Sequence, residues 1–340
     1  MKNYTRLALM AVISLMVLTL FLSACSVQSQ PESVSAMQLA PAATEEAAVE
    51  QVPTPTAEIV PTATSRIPVE ELRNATYSGI YAEPVILSDG MFKESFEGQA
   101  VTVEYIDSTE LFADLDGDGV EDAVVFLLEN GGGTAVFTYV AAQLNHNGQP
   151  VDAGAALVED RTQVRSAAIQ DGQVVLDITT RGPGGGDCCP SYKTRKIYTL
   201  EEGRLVEVPG EDQELVQISA DDLNGTSWIL LEFDPDNPVL SDSEMTISFQ
   251  DAQISGSGGC NSYTSSFTLG KDNPFVINIG PIAATKKACP DPILNQENDY
   301  FTALENVSLW GYRYGQLVLA YSDGQAVDLK RLLFAPQEAP

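Results

Sequence analysis

Histidine occurs once in the 340 residues, at His146, tryptophan occurs only twice, and 18 basic side chains face 48 acidic ones. A single His weighs against His-rich metal centres and against a Ser-His-Asp triad. The formal charge of -30 weighs against nucleic acid, because a polyanion is held by Lys and Arg that neutralise phosphates and release counterions. An anionic membrane surface is repelled for the same reason. Charged residues amount to 19% and hydrophobic ones to 44%, so the chain has enough apolar matter for real cores.

No apolar run reaches the roughly 20 residues of a comfortable membrane span. The longest covers residues 7–22, follows Lys2 and Arg6, and ends in Leu22-Ser23-Ala24-Cys25. This reads as a secretory signal. The four closing residues resemble the lipobox of bacterial lipoproteins, which implies diacylglycerol transfer to the Cys25 thiol, cleavage before it and acylation of the new amino group. An ordinary secretory signal with an incidental Cys is the alternative. Buried methylenes contribute about 0.8 kcal/mol each, so two or three acyl chains anchor a protein stably. Removing residues 1–24 leaves 16 basic against 48 acidic side chains, a charge of -32, so the acidity belongs to the exported part.

Residues 26–68 contain no aromatic side chain and are dominated by Ala, Thr, Glu, Val, Ser and Pro, with Pro53-Thr54-Pro55-Thr56 in the middle. Such a composition cannot offset chain entropy by burial. Residues 25–69 are therefore expected to be a disordered spacer.

Two β-rich domains are expected beyond it, at residues 70–212 and 215–336. Asn147-Gly148, Asp171-Gly172 and Glu202-Gly203 fall between strand-like runs, as hairpin connections do. Strand-like runs recur in the second domain at 228–231, 245–249, 275–279 and 317–319. One helix interrupts them, with Asn295 as its cap and Tyr300, Phe301, Leu304 and Val307 on its apolar face. The fold class is mainly β or α+β, the C-terminal domain being a curved antiparallel sheet or partial barrel with one covering helix.

Leu223-Asn224-Gly225-Thr226-Ser227-Trp228, Ile254-Ser255-Gly256, Gly258-Gly259-Cys260-Asn261-Ser262-Tyr263, Thr285, Ala288-Cys289 and Gln296-Glu297 follow one another in an order and spacing that resembles the META/HslJ domain. The resemblance covers about residues 218–333. It implies a secreted or envelope-attached module linked to heat-shock and drug-tolerance phenotypes, without an established catalytic activity. Lys287 stands where many members of that family carry Met.

The sharpest chemical pattern is Asp114-Leu115-Asp116-Gly117-Asp118-Gly119-Val120-Glu121-Asp122. Carboxylates at alternating positions converge when the backbone wraps a hard cation, and the Val120 carbonyl can add a neutral oxygen. The twelfth position is Val125, so this is not an EF-hand. Asp122 is expected to complete the shell, as in the FG-GAP-like and dockerin-like calcium loops it resembles. The expectation is a structural Ca²⁺ on Asp114, Asp116, Asp118, Val120 and Asp122; an Asp/Gly-rich turn without metal is the alternative.

Cys25 aside, four cysteines allow three pairings. Cys260 and Cys289 both lie in the META-like part, so their pairing is the first choice over two free thiols. Adjacent Cys188-Cys189 suggest a strained clip in the Gly-rich loop 182–190, with redox chemistry as the second reading. Ser255-Gly256-Ser257-Gly258-Gly259 lacks the spacing of a nucleophile elbow and reads as a tight turn. His146 reads as a solvated turn residue. Trp228, Trp310, Tyr312 and Tyr314 read as packing, or as a partner platform where exposed. The leading functional expectation is a non-enzymatic envelope lipoprotein anchored to the membrane at Cys25 and binding an envelope protein or glycan. The alternatives are an exported hydrolase using paired carboxylates and an inhibitor of an exported enzyme.

Overall fold

The computed structural model describes residues 66–340 apart from 97, 184–189, 211–213, 235–236, 325–328 and 338–340. The secretory signal, Cys25, the spacer, and Cys188 and Cys189 lie outside the described residues. No helix among the described residues is long and apolar enough to cross a membrane.

A short helix, α1 (Val69–Arg73), and the paired strands β1 (Thr76–Tyr77) and β2 (Val85–Ile86) precede a six-stranded antiparallel sheet. Its strands are β3 (Met91–Phe96), β4 (Gln99–Tyr105), β5 (Leu111–Ala113), β6 (Asp122–Asn130), β7 (Phe137–His146) and β8 (Gln149–Asp160). They lie in the order β3-β4-β6-β7-β8, with β5 also on β6. A second sheet holds β9 (Val164–Gln170), β10 (Gln173–Thr180), β11 (Tyr192–Glu201), β12 (Arg204–Val208) and β13 (Val216–Gln217), in the order β12-β11-β10-β9 with β13 on β11. The three expected hairpin turns are present. Asn147-Gly148, Asp171-Gly172 and Glu202-Gly203 all have positive φ at both positions, the backbone that matches the twist of the flanking strands.

Strand β6 is an unbroken apolar run because both of its faces are covered. Val124 and Phe126 pack with Val174, Leu176, Ile178 and Tyr198 of the second sheet. Ala123, Val125 and Leu127 alternate with them and pack against Leu72, Tyr77, Val85 and Leu87. Each fully buried Val, Leu, Ile or Phe side chain among them contributes about 1.5–3 kcal/mol.

The C-terminal lobe begins with a 3-10 turn, Ala220–Asp222, followed by β14 (Ser227–Phe233), β15 (Thr246–Gln250), β16 (Gln253–Ser257), β17 (Ser262–Leu269), β18 (Ile277–Ile279) and β19 (Ala283–Ala284). Then come α2 (Asp291–Glu305), β20 (Val307–Arg313), β21 (Gln316–Tyr321) and β22 (Lys330–Pro336). The order β18-β17-β16-β15-β14-β22-β21-β20, with β19 on β17, makes a nearly closed antiparallel barrel. Its ends approach where Trp310 N–H donates to the Phe275 carbonyl at 2.9 Å and Val276 bridges Leu309. Tyr300, Ala303 and Leu304 of α2 are buried in the barrel core with Phe249, Leu319 and Phe334.

The helix differs from its sequence expectation at both ends. It starts after Pro290 with Pro292 in its first turn, where the missing N–H costs nothing, so Asn295 lies inside it and is no cap. Val307 lies beyond the C-cap Asn306 and opens β20, although its side chain still reaches the same core.

The two lobes are joined by side chains that no motif announces. Arg165 Nη2 and Lys193 Nζ from the second sheet reach Asp222 Oδ1 at 2.7 and 2.6 Å. The Asp222 side chain is 1% exposed, and its other oxygen accepts from Ser219 N–H at 3.0 Å. Tyr312 N–H donates to Gln163 Oε1 at 2.8 Å, and the Arg165 guanidinium lies 5.1 Å from the Tyr312 ring centroid. Tyr314, at the β20–β21 turn, packs on Phe126 with ring centroids 4.8 Å apart, so a barrel hairpin tip enters the core of the first lobe.

Candidate functional site

The Asp-rich loop joins β5 to β6, a pair in antiparallel register (Leu111 with Val124, Ala113 with Asp122). Carboxylate oxygens of Asp114, Asp116 and Asp122 lie within 4.8 Å of one another. Asp114 accepts from Gly117 N–H at 2.7 Å and Gly119 N–H at 2.9 Å. Asp116 accepts from Asp118 N–H at 3.0 Å, and Asp118 from Val120 N–H at 2.7 Å. Gly117 and Gly119 both take positive φ, so the chain turns twice within the loop without a Cβ penalty. The Asp118 carboxylate stands outside the gathered three and caps Val120 instead.

Asp122 is the buried member, 1% exposed. It accepts from Leu115 N–H at 2.9 Å and Asn145 N–H at 2.8 Å. Burial pushes its carboxyl up, the two backbone donors oppose this, and the charges of Asp116 and Asp118 add to the rise. All the donors in this loop are hard oxygens, the chemistry that suits a cation such as Ca²⁺. Each carboxylate oxygen has more than one acceptor lobe, so the amide contacts leave room for a metal.

A second polar centre lies in the barrel lobe. Cys260 and Cys289 form a disulfide with Cα atoms 6.2 Å apart, as the sequence reading preferred. Beside it the Glu297 carboxylate, 3% exposed, accepts from Asn261 N–H and Asn261 Nδ2, both at 2.6 Å, and from Cys260 N–H at 3.3 Å. Asn261 Oδ1 accepts from Thr285 Oγ1 at 3.0 Å and Lys287 N–H at 2.7 Å. The motif residues Cys260-Asn261, Thr285, Cys289 and Glu297 thus form one network that holds the 285–289 segment to α2. Lys287 contributes backbone groups to it while its side chain is exposed, so its identity leaves the packing undisturbed.

The remaining sequence-predicted positions have structural roles. His146 ends β7 and is exposed beside the Asn147-Gly148 turn. Gly256 lies inside β16 and not in a tight turn; a Cβ there would stand 2.1 Å from the Thr246 carbonyl oxygen. Gly258 likewise permits close approach, to Glu297 and Phe301. Trp228 and Trp310 are buried, and Tyr312 meets Trp310 edge to face with centroids 5.6 Å apart. Asp222 was not singled out from the sequence, although Ser219 three residues before it is the signature of a capping box.

Fold and site together define a β-rich protein of two joined lobes, one bearing an acidic loop in which three Asp carboxylates gather and the other a disulfide-braced barrel. Residues 221–332 match the family model described as META domain, so the barrel lobe carries the similarity that its motifs suggested. No curated protein matches the chain. A solved structure, described as the NMR structure of the protein from Burkholderia xenovorans, is 24% identical, covers 39% of this chain and 100% of its own, and has a TM-score of 0.30.

Proposed function

We propose that the protein is a non-enzymatic binding module of the cell envelope, fastened to a membrane by acyl groups on Cys25. Its lobes face a partner protein or glycan outside the cytoplasm. The observation that carries this reading is the Cys260–Cys289 disulfide, since such bonds form and persist mainly in oxidising compartments. It agrees with the signal-like run and lipobox at residues 7–25. Replacing Cys25 with Ala is expected to move the protein from the membrane fraction to the soluble fraction. Mass spectrometry of the native N-terminal peptide is expected to find Cys25 acylated; a water-soluble, unacylated product beginning at Met1 would overturn the reading.

In this reading Asp114, Asp116 and Asp122 hold a structural Ca²⁺, and its binding draws in Asp118 and the Val120 carbonyl to complete the shell. Its charge offsets the mutual repulsion of the gathered carboxylates and pins the β5–β6 connection. A free Ca²⁺ concentration of about 100 times Kd stabilises a folded protein by about 2.7 kcal/mol. Calcium is therefore expected to raise the melting temperature relative to chelator, and the Asp116→Ala, Asp118→Ala double variant to lose that response. Identical melting of the unmutated protein in Ca²⁺ and in chelator would reject the assignment.

A further inference from the structure

Where the barrel hairpin tip enters the first lobe, a cavity of about 220 Å³ remains beside it. Leu128 of β6, Val164 of β9, Tyr312 and Tyr314 give it apolar and aromatic walls. Thr138 of β7, Arg161 and Gln163 of the β8–β9 connection, and Arg313 of β20 supply its polar groups.

Thr138 is 3% exposed and alternates in phase with Val140 and Ala142, which pack into the core between the two sheets, so its side chain points to that side of β7. Its hydroxyl has no protein hydrogen-bond partner among the described residues, an uncommon state for a residue so buried. Arg313 has no ion pair or hydrogen bond among the described residues either, although 48 of the 340 residues are acidic. Arg161 is paired to Asp160 at 2.7 Å, so Arg313 is the uncommitted charge. Gln163 Oε1 already accepts from Tyr312 N–H, which leaves the N–H groups of its amide. The groups that remain can all donate: a guanidinium, an amide NH₂ and a hydroxyl. Arg161 and Tyr314 take φ of 52° and 49°, a left-handed backbone that bulky residues seldom adopt and that clusters where ligands are held.

These walls select among occupants. No acidic side chain lines the cavity among the described residues, so a metal cation finds no carboxylate ligand and two guanidinium charges that repel it. A neutral sugar brings hydroxyl donors as well as acceptors, and walls that mainly donate leave those donors unmatched. Inorganic phosphate suits the guanidinium, but it would lose its hydration against Leu128, Val164 and two aromatic rings. A carboxylate on a compact apolar body meets both demands. Its two oxygens fit the planar fork of an Arg, and its body fits the apolar walls.

We infer that this cavity binds a small apolar carboxylate, with Arg313 holding the charged group, Thr138 and Gln163 adding hydrogen bonds, and Leu128, Val164 and Tyr314 covering the body. The inference goes beyond the envelope reading and depends on neither the Cys25 anchor nor the calcium loop. Calorimetric titration of the full-length protein in matched detergent uses two probes: 3-phenylpropionate as a free acid and N-acetyl-alanyl-phenylalanine as a peptide terminus. The amide of each probe and inorganic phosphate are the controls. At least one carboxylate is expected to bind with a Kd below about 1 mM, its amide about tenfold more weakly or worse, and the tighter of the two identifies the source. Arg313→Gln removes no ion pair or hydrogen bond within the protein, so it is expected to weaken binding by about tenfold or more with an unchanged melting temperature. Thr138→Val keeps the volume and is expected to weaken it by about fivefold; should that variant fail to fold, Arg313→Gln decides alone. Absence of binding by both carboxylates, equal binding of acid and amide, tighter binding of phosphate, or an affinity unchanged in Arg313→Gln would overturn the inference.

Discussion

Asp222→Ala is expected to lower the unfolding free energy by about 3 kcal/mol, because removing one partner from a buried ion pair leaves the others uncompensated. Here the orphaned groups are the Arg165 guanidinium, the Lys193 ammonium and the Ser219 N–H. The side chains of Arg165 and Lys193 are 17% and 33% exposed, so water recovers part of the loss and the lower end of the usual range applies. Urea unfolding with and without the substitution measures it. A change below about 1 kcal/mol would mean that the joint between the lobes is set by Tyr312 and Tyr314 packing and not by the charged triad.

The same carboxylate predicts a pH dependence. Burial pushes the Asp222 carboxyl up, but the Lys193 hydrogen bond, the Ser219 N–H and the Arg165 charge outweigh it and hold the group below the usual carboxylate range. The folded state then binds this proton less readily than the unfolded chain, so the contribution is complete above the unfolded value of about 3.9. It is lost as pH falls through the lower native value. The stability gap between the unmutated protein and Asp222→Ala is therefore expected to narrow below about pH 4.

Opening the Cys260–Cys289 bridge has the second large effect. On the chain-entropy model, a sequence separation of 29 corresponds to about 3.5 kcal/mol of stabilisation through the unfolded state. Reduction and Cys289→Ser are expected to produce similar losses, while the Glu297–Asn261 hydrogen bonds keep the 285–289 segment near α2 in the folded molecule. Peptide mass spectrometry without reduction is expected to join the two cysteines. Alkylation of both thiols in the native protein would refute the bridge.

The contrast between the hairpins and the helix explains which features were legible. Asn147-Gly148 and Asp171-Gly172 are readable because φ > 0 at two successive positions favours a very short list of residues. Those turns formed where expected. The helix α2 begins four residues before the expected cap Asn295, because the first helical turn tolerates Pro292 where its missing N–H leaves no bond unmade. The Phe275-to-Ile279 run contracted to Ile277–Ile279, since Phe275 and Val276 are used instead to close the barrel against Trp310 and Leu309.

Features that depend on neighbours in the chain were settled by the amino acids themselves: the acidic loop with its alternating carboxylates, the turn glycines, the β-rich composition and the motif of the barrel lobe. Which carboxylates gather, where the lobes meet, that Asp222 joins them, and which groups Glu297 holds were decided only in three dimensions. Asp222 lies 57 residues from Arg165, and Glu297 lies 36 from Asn261. At such separations a partner is chosen by sheet register and burial, because a desolvated charge must find its counterpart wherever the folded chain happens to bring one.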